Sequence, residues 1–161
     1  MRPVRLLASA VVCLALCAVV VAPAFAQTDP QVGVWKLNPA KSKYTPGPGP
    51  TSATSTIEAA GAGTKVSVDQ VFADGTKRQY TFTGPYDGKD TPVTGTNPDA
   101  DTVARTRLNP STVQTISKKA GKVTTTQTST VSADGKTRTV RTKGTNGKGQ
   151  AINNVAVYER Q

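Results

Sequence analysis

The chain contains no histidine, and its two cysteines and single methionine all lie between Met1 and Cys17. Histidine is the commonest general base in enzymes, and histidine and cysteine are the usual ligands of zinc and copper. Acidic residues are also scarce, ten against twenty lysines and arginines, and turn formation accounts for most of the aspartates. The sequence therefore predicts no enzyme, no bound metal and no cofactor.

The main apolar run lies at the N-terminus. It covers residues 6–22 behind Arg2 and Arg5, and residues 24–26 follow as the small-x-small sequence Ala-Phe-Ala. This run is shorter than the roughly 20 residues of a membrane-spanning helix, and the pattern is typical of a secretory signal peptide. We expect cleavage after Ala26 to release residues 27–161 to the periplasm or the extracellular space, without a transmembrane span.

Threonine is abundant in residues 27–161, valine recurs along them, and aromatic residues are few. Both threonine and valine favour strands, because their branched Cβ fits a pleated sheet and crowds a helix. No window of helical length carries a 3.6-residue apolar period. The pattern predicts one all-β domain over residues 27–161, an antiparallel meander of about 8–10 strands that forms either a barrel or a β-sandwich.

Turn signals bound the predicted strands. Asp74-Gly75 and Asp134-Gly135 are each predicted to join two strands, because glycine accepts the positive φ of a primed hairpin turn. Residues 39–50 and 94–101 are predicted loops. The predicted strands cover residues 33–38, 51–60, 64–73, 76–84, 89–93, 102–108, 112–118, 123–132, 136–143 and 151–160.

The large apolar side chains of these strands predict the core. Residues 123–132 supply little to it, because threonine and other small polar residues fill that strand. The predicted core residues are Trp35, Leu37, Ile57, Val66, Val68, Tyr80, Phe82, Ile116, Val155 and Val157.

The first and last predicted strands carry a recognisable pair. Gly33-Val34-Trp35 resembles the Gly-x-Trp signature of the lipocalins and the wider calycin barrels, and Arg160 stands where those families place a basic residue on the last strand. The resemblance implies a calycin-like barrel in which Arg160 stacks on Trp35 and closes one end, a cation–π contact of about 0.5–2 kcal/mol. The chain departs from the lipocalins in lacking disulfide cysteines and a helix after the strands.

Three longer patterns resemble those of a group of uncharacterised exported bacterial proteins. They are Gly-Val-Trp-Lys-Leu-Asn-Pro-Ala-Lys-Ser from Gly33, Tyr-Asp-Gly-Lys-Asp-Thr-Pro-Val-Thr-Gly from Tyr86, and Asn-Asn-Val-Ala-Val-Tyr from Asn153. This resemblance implies a bacterial source and carries no activity with it.

Two functions remain open. In the first, the barrel encloses a small apolar or amphipathic ligand: Tyr80 and Phe82 line the cavity, Arg105 or Arg107 meets an acidic head, and the cavity exceeds about 300 Å³.

In the second, a solid barrel or sandwich is an envelope-associated structural or interaction protein. The net charge of the chain, +10 in full and +8 without Arg2 and Arg5 of the signal peptide, favours docking onto anionic lipid headgroups, lipopolysaccharide or acidic polysaccharide. Export argues against a nucleic-acid partner, and aromatic residues do not alternate with the basic ones as they do in single-strand binders.

Overall fold

The computed structural model describes residues 29–161, and most of that segment is antiparallel β-sheet. The predicted all-β meander is confirmed, and the predicted signal peptide, residues 1–26, lies outside the described residues. Within residues 29–161 no helix is long and apolar enough to cross a membrane. The strands are β1 (Gly33–Leu37), β2 (Ser52–Ala60), β3 (Gly63–Val71), β4 (Lys77–Pro85), β5 (Asp87–Pro92), β6 (Thr94–Gly95), β7 (Thr102–Asn109), β8 (Thr112–Lys119), β9 (Lys122–Val131), β10 (Thr137–Thr145) and β11 (Ala151–Arg160).

The strands form one sheet that curls into a nearly closed barrel rather than a sandwich. Sequence neighbours pair from β1 to β4 and from β7 to β11, and β11 pairs with β1 to join the two halves. In that joint Trp35 lies opposite Arg160, and Leu37 lies opposite Tyr158. The remaining seam runs beside β4, where β6 pairs with β4 and β5 pairs with β7.

The two Asp-Gly turns differ from the two-residue primed turns predicted for them. The Phe72 amide donates to Thr76 O at 2.9 Å, and the Gly75 amide donates to Phe72 O at 3.0 Å. Three residues therefore form the loop, with Gly75 in the left-handed region at φ 80°, as in hairpins that carry a bulge after a type I turn. The Asp74 side chain accepts from the Thr76 amide at 2.9 Å. The Asp134-Gly135 turn also has a left-handed glycine, Gly135 at φ 70°, but its loop is one residue longer, because the Ser132 amide donates to Thr137 O at 2.8 Å.

Two predicted loops contain short regular elements. Residues 39–41 form one 3₁₀ turn, capped by the Asn38 side chain, which accepts from the Lys41 amide at 3.1 Å. The predicted loop 94–101 begins with β6, where Thr94 lies opposite Thr81 and Gly95 opposite Tyr80. Neither element is long enough to produce a periodic sequence signal.

The core is built around the joint between β1 and β11. Tyr80 and Phe82 pack against it as half-buried residues. Its buried members are Trp35, Leu37, Ala53, Ile57, Val66, Val68, Val131, Val140, Ala156 and Tyr158.

The prediction was wrong for Ile116, Val155 and Val157, which are only half-buried. Because β11 pairs with β1 so that Tyr158 lies opposite Leu37, Ala156 and Tyr158 are the residues of β11 that face inward. The two valines therefore lie on the outer face. Similarly, Thr115 is buried in β8, which turns its neighbour Ile116 outward.

Many inward-facing positions carry polar side chains instead of apolar ones. Besides hydroxyl residues, two arginines are among them, Arg105 of β7 and Arg138 of β10, with 5% and 7% of their surface exposed. The buried polar residues of the strands are Ser55, Thr64, Arg105, Thr112, Thr115, Thr125, Ser129 and Arg138. Burying polar groups is unfavourable unless they find partners, so this polar interior is the part of the fold that requires explanation.

Candidate ligand site in the barrel lumen

The segment before β1 folds across one end of the barrel and closes it. Gln31 is buried there, and its Nε2 donates to the backbone oxygens of Ser111 at 2.9 Å and Ser129 at 3.2 Å. Its Oε1 accepts from Ser129 Oγ at 2.9 Å, and its own backbone oxygen accepts from Trp35 Nε1 at 2.8 Å. With these bonds made, the buried amide is satisfied. We call this closed end, built on Gln31, Trp35 and Arg160, the floor of the lumen.

Arg160 lies over Trp35 at the floor, as the calycin resemblance implies. The centre of its guanidinium is 4.2 Å from the indole centroid. The same guanidinium donates to three backbone oxygens, those of Gly135 at 2.7 Å, Val32 at 2.6 Å and Pro30 at 2.8 Å. Arg160 therefore ties the N-terminal segment, a hairpin turn and the last strand together.

The packing at the floor explains why glycine occupies the first position of the Gly-x-Trp pattern. Gly33 has φ +141°, a conformation that side chains rarely adopt, and a Cβ built on it would collide with Arg160 Nη1. Any larger residue would displace the guanidinium from its stacked position on Trp35. The pattern therefore requires glycine at position 33 so that Arg160 can stack on Trp35.

Above the floor lies an inner cavity of about 80 Å³. Arg105 and Arg138 both line it, and no aspartate or glutamate does. The other lining residues are Gln31, Ser55, Ile57, Val66, Val68, Gln70, Tyr80, Phe82, Val113, Thr115, Gln127, Ser129, Val140 and Tyr158.

Arg138 is held by two hydroxyls. Its Nε donates to Ser129 Oγ at 2.8 Å and its Nη1 to Ser55 Oγ at 3.1 Å, while the ring of Tyr158 lies 5.3 Å away. None of the ion pairs among residues 29–161 includes it. Burial lowers the pKa of Arg138; Tyr158 opposes this shift, and the positive charge of Arg105 adds to it.

Arg105 has even fewer polar partners. Its Nη1 donates to Thr64 Oγ1 at 2.7 Å, and its guanidinium lies 4.4 Å from the ring centroid of Tyr86 and 5.5 Å from that of Phe82. Its buried Nε has no acceptor among the described residues. Arg105 also takes part in no ion pair there. Burial lowers the pKa of Arg105, as it does that of Arg138; Tyr86 and the more distant charge of Asp29 oppose this shift, and the charge of Arg107 adds to it.

Arg107 lies below Arg105, outside the inner cavity, and is paired. Its Nη2 donates to Asp29 Oδ2, which also accepts from the Tyr86 hydroxyl at 2.7 Å. The Tyr86 ring separates the two arginines, 4.2 Å from Arg107 and 4.4 Å from Arg105. Burial alone would raise the pKa of Asp29, but the hydrogen bonds from Tyr86, the Gln31 amide and Arg107 lower it overall.

The opposite end of the lumen opens into a mouth cavity of about 230 Å³. Residues 44–50, which we call the strap, lie across it with prolines at positions 46, 48 and 50. The strap begins with Tyr44, which packs against the core, and Thr45, whose amide donates to Asn154 Oδ1 at 2.9 Å. Prolines have no amide hydrogen to donate, so the remainder of the strap stays outside the sheet.

An ion pair stiffens the rim of the mouth beside the strap. Arg78 of β4 donates to Asp99 Oδ2 at 3.0 Å, and Asp99 Oδ1 accepts from the Gly147 amide at 2.6 Å. Asp99 thus links β4 to the turn between β10 and β11. The acidic side chain at the mouth is already neutralised by Arg78 and does not reach the inner arginines.

Of the four residues predicted to contact a ligand, Tyr80, Phe82 and Arg105 line the inner cavity. Arg107 does not line the inner cavity and is paired with Asp29. Sequence reasoning missed Arg138, the second arginine of the cavity. The available signal was its place on the same face of β10 as Val140, two residues away, which is an inward position for any barrel of this register.

Comparisons with known proteins assign no relative: no protein-family model matches the chain, and no curated protein matches it.

Proposed function

We propose that the chain is a binding protein, not an enzyme, whose barrel takes a small ligand into its lumen through the mouth. The observation that supports this most is the adjacency of the two cavities. The mouth cavity and the inner cavity share five lining residues, Gln70, Tyr80, Gln127, Val140 and Tyr158. We propose that a ligand passes between these residues from the strap to the buried arginines.

The volumes set the size of the ligand. Neither the mouth cavity, about 230 Å³, nor the inner cavity, about 80 Å³, reaches the roughly 300 Å³ at which sites for drug-sized ligands begin. Taken together, the two cavities only just reach that size, so the lumen does not offer the large apolar cavity expected from the sequence. A short-chain molecule fits this lumen, and a bulky apolar one does not.

The lining sets its polarity. The inner end combines two arginines with amides, hydroxyls and apolar side chains, and the mouth combines Tyr44, Phe72, Ile152 and the strap prolines with polar residues such as Asn97, Asn146 and Asn154. We propose that a polar head of the ligand lies at the arginines and that a short apolar tail packs on Tyr44, Phe72 and Ile152. We therefore propose a small amphipathic ligand.

The proposal includes export. Residues 1–26 have the charged, apolar and small-residue regions of a signal peptide, and a protein released this way would act in the periplasm or outside the cell. Intact-mass analysis of the chain from a bacterial periplasmic fraction should give a protein that begins at Gln27. A mass that retains Met1 in that fraction would contradict cleavage at this site.

Binding in the lumen can be tested with two short probes, hexanoate and hexan-1-ol. We expect either to shift the backbone ¹H–¹⁵N resonances of lumen residues such as Gln70, Tyr80 and Gln127. Thr142→Phe adds a ring at the mouth cavity that Thr142 lines and should weaken binding of whichever probe binds by tenfold or more.

Thr139→Phe is the matched control, because Thr139 lies on the opposite, outward face of the same strand and lines a groove that shares no residue with either lumen cavity. This variant should bind as the parent does. Shifts confined to outer-face residues, no shifts with either probe, or equal binding by the two variants would contradict the proposal.

A second function is favoured by one feature of the outer surface. Lys119 and Lys122 lie opposite each other across the β8–β9 hairpin, and both are exposed. Like charges in that arrangement are destabilising, and an anionic lipid or polysaccharide surface would relieve their repulsion. Under this hypothesis, sedimentation with anionic vesicles should disappear as salt rises to physiological strength and in the variant K119E/K122E. Salt-independent sedimentation would contradict it.

A further inference from the structure

The lumen has an unbalanced charge. Two guanidinium groups border one small cavity that no carboxylate lines. Arginine stays protonated in proteins, and a buried charge without a counter-charge is strongly unfavourable. The barrel elsewhere follows the opposite rule, since the half-buried Arg78 and Arg107 each pair with an aspartate.

We propose that Arg105 and Arg138 form a binding site for a compact oxyanion, a carboxylate or phosphate head group, at the inner end of the lumen. This deepens the proposed function and rests on it, because it names the chemistry of the ligand's polar head. The oxyanion supplies the negative charge that residues 29–161 do not place there.

The donors of the two arginines support this assignment. Each guanidinium has five N–H donors, and hydrogen bonds within the described chain use Nη1 of Arg105 and Nε and Nη1 of Arg138. The buried Nε of Arg105 has no acceptor there at all. An oxyanion offers several acceptor sites at once, and its bonds to guanidinium are about twice as strong as neutral ones.

Two tyrosines add neutral donors to the same cavity. Tyr80 and Tyr158 both line it, and burial raises the pKa of each above the ordinary value. Both hydroxyls therefore remain protonated and can donate to an anion. An acidic or purely accepting wall would repel such a ligand, and this cavity has neither.

The aromatic rings around the two arginines do not neutralise their positive charges. Tyr86 and Phe82 flank Arg105, and Tyr158 and Trp35 lie near Arg138 at 5.3 and 5.9 Å. A cation–π contact supplies part of the lost hydration of a guanidinium, but it neutralises no charge. Two like charges that border one cavity also repel each other.

The test compares three probes with the same six-carbon tail: hexanoate, hexyl phosphate and hexan-1-ol. Calorimetric titration of the full domain should give at least tenfold tighter binding of one or both anions than of the alcohol. Arg138→Met should reduce anion binding at least tenfold and leave the alcohol within about threefold. Arg138→Lys, which keeps the charge without the planar fork, should fall between the parent and Arg138→Met and covers the case in which Arg138→Met fails to fold.

Arg141→Met is the matched control, because Arg141 is exposed on the outer face of the same strand and should change no affinity. Equal affinity for anions and alcohol in the parent, or anion binding unaffected by Arg138→Met and Arg138→Lys, would overturn the oxyanion site while leaving a binding lumen. Absence of binding by all three probes would instead overturn the proposed function. The ratio of hexanoate to hexyl phosphate affinity then identifies the head group.

Discussion

The arginines at the floor of the barrel and those in its lumen differ in the partners of their guanidinium groups. At the floor, Arg160 donates to three backbone oxygens and stacks on Trp35, and nearby Arg107 pairs with Asp29. In the lumen, Arg105 and Arg138 are more buried and have only hydroxyls and aromatic rings as partners. The same side chain is therefore structural at the floor and electrostatically uncompensated in the lumen.

The floor arginines therefore stabilise the fold, whereas the lumen arginines are available to bind a ligand. Contacts at the floor fix the N-terminal segment, the last strand and a hairpin turn against each other. The lumen charges contribute little or unfavourably to folding, because desolvating a guanidinium costs more than hydroxyl partners return. Substitutions at the two places should consequently differ in the sign of their effect on stability.

The largest effect is expected for Trp35→Ala at the floor. Trp35 is fully buried, and removing a buried aromatic side chain costs about 3–5 kcal/mol through lost burial and the remaining void. The free energy of unfolding from urea titration measures it. Val34→Ala is the control on the adjacent outward position, 40% exposed, and should cost well under a third of that amount; equal losses would mean that the floor is not where stability is concentrated.

Gly33→Ala should have the next largest effect. The positive φ of Gly33 and the collision of a Cβ with Arg160 predict a loss of about 1–3 kcal/mol from backbone strain, measured in the same urea titration. The double variant Gly33→Ala/Arg160→Met should cost less than the sum of the two single changes, because the collision is gone. Additive losses would contradict the steric explanation of the Gly-x-Trp pattern.

Asp29→Asn should have a smaller and pH-dependent effect. The single oxygen of asparagine can still accept from Tyr86 and Arg107, so the change removes the charge-assisted part of those bonds and the bond from the Gln31 amide, together roughly 1–2 kcal/mol at neutral pH. The folded-state pKa of Asp29 lies below its ordinary value. Its contribution is therefore fully present above about pH 4 and is lost as pH falls through the lower folded-state value.

Urea titrations of parent and Asp29→Asn over a range of pH test this sign. The difference between them should be constant above about pH 5 and shrink on acidification below pH 4. A difference that grows as the pH falls would show that Asp29 does not stabilise the floor through its charge.

Most of the fold followed from the sequence because its signals are local. Period-two alternation and Asp-Gly turns determine strands whose limits lie within a few residues of those observed, and Gly-x-Trp with Arg160 located the floor. Sequence patterns did not determine which face of β11 is buried. Val155 and Val157 are larger apolar residues than Ala156, and only the pairing of Tyr158 with Leu37 directs the smaller residue inward.

Only part of the candidate site could be predicted from the sequence, because the sequence pattern does not show which strand face is buried. Arg105 and Arg107 were predicted from their place on one strand face together with Val103, whereas the one signal for Arg138 was the face that it shares with Val140. Arg107 was predicted to meet a ligand, but Asp29, remote in sequence, takes its charge. Pairing of this kind depends on how the N-terminal segment crosses the barrel, which no short-range pattern encodes.

The contrast between floor and lumen is tested most directly by measuring the free energy of unfolding of Arg160→Met and Arg138→Met against the parent without added ligand. Arg160→Met should lose about 1–3 kcal/mol, because its hydrogen bonds and its stacking on Trp35 disappear. Arg138→Met should lose nothing or become more stable, as replacement of buried charges by apolar groups often does. A loss at Arg138 equal to that at Arg160 would contradict the account, because both arginines would then be structural.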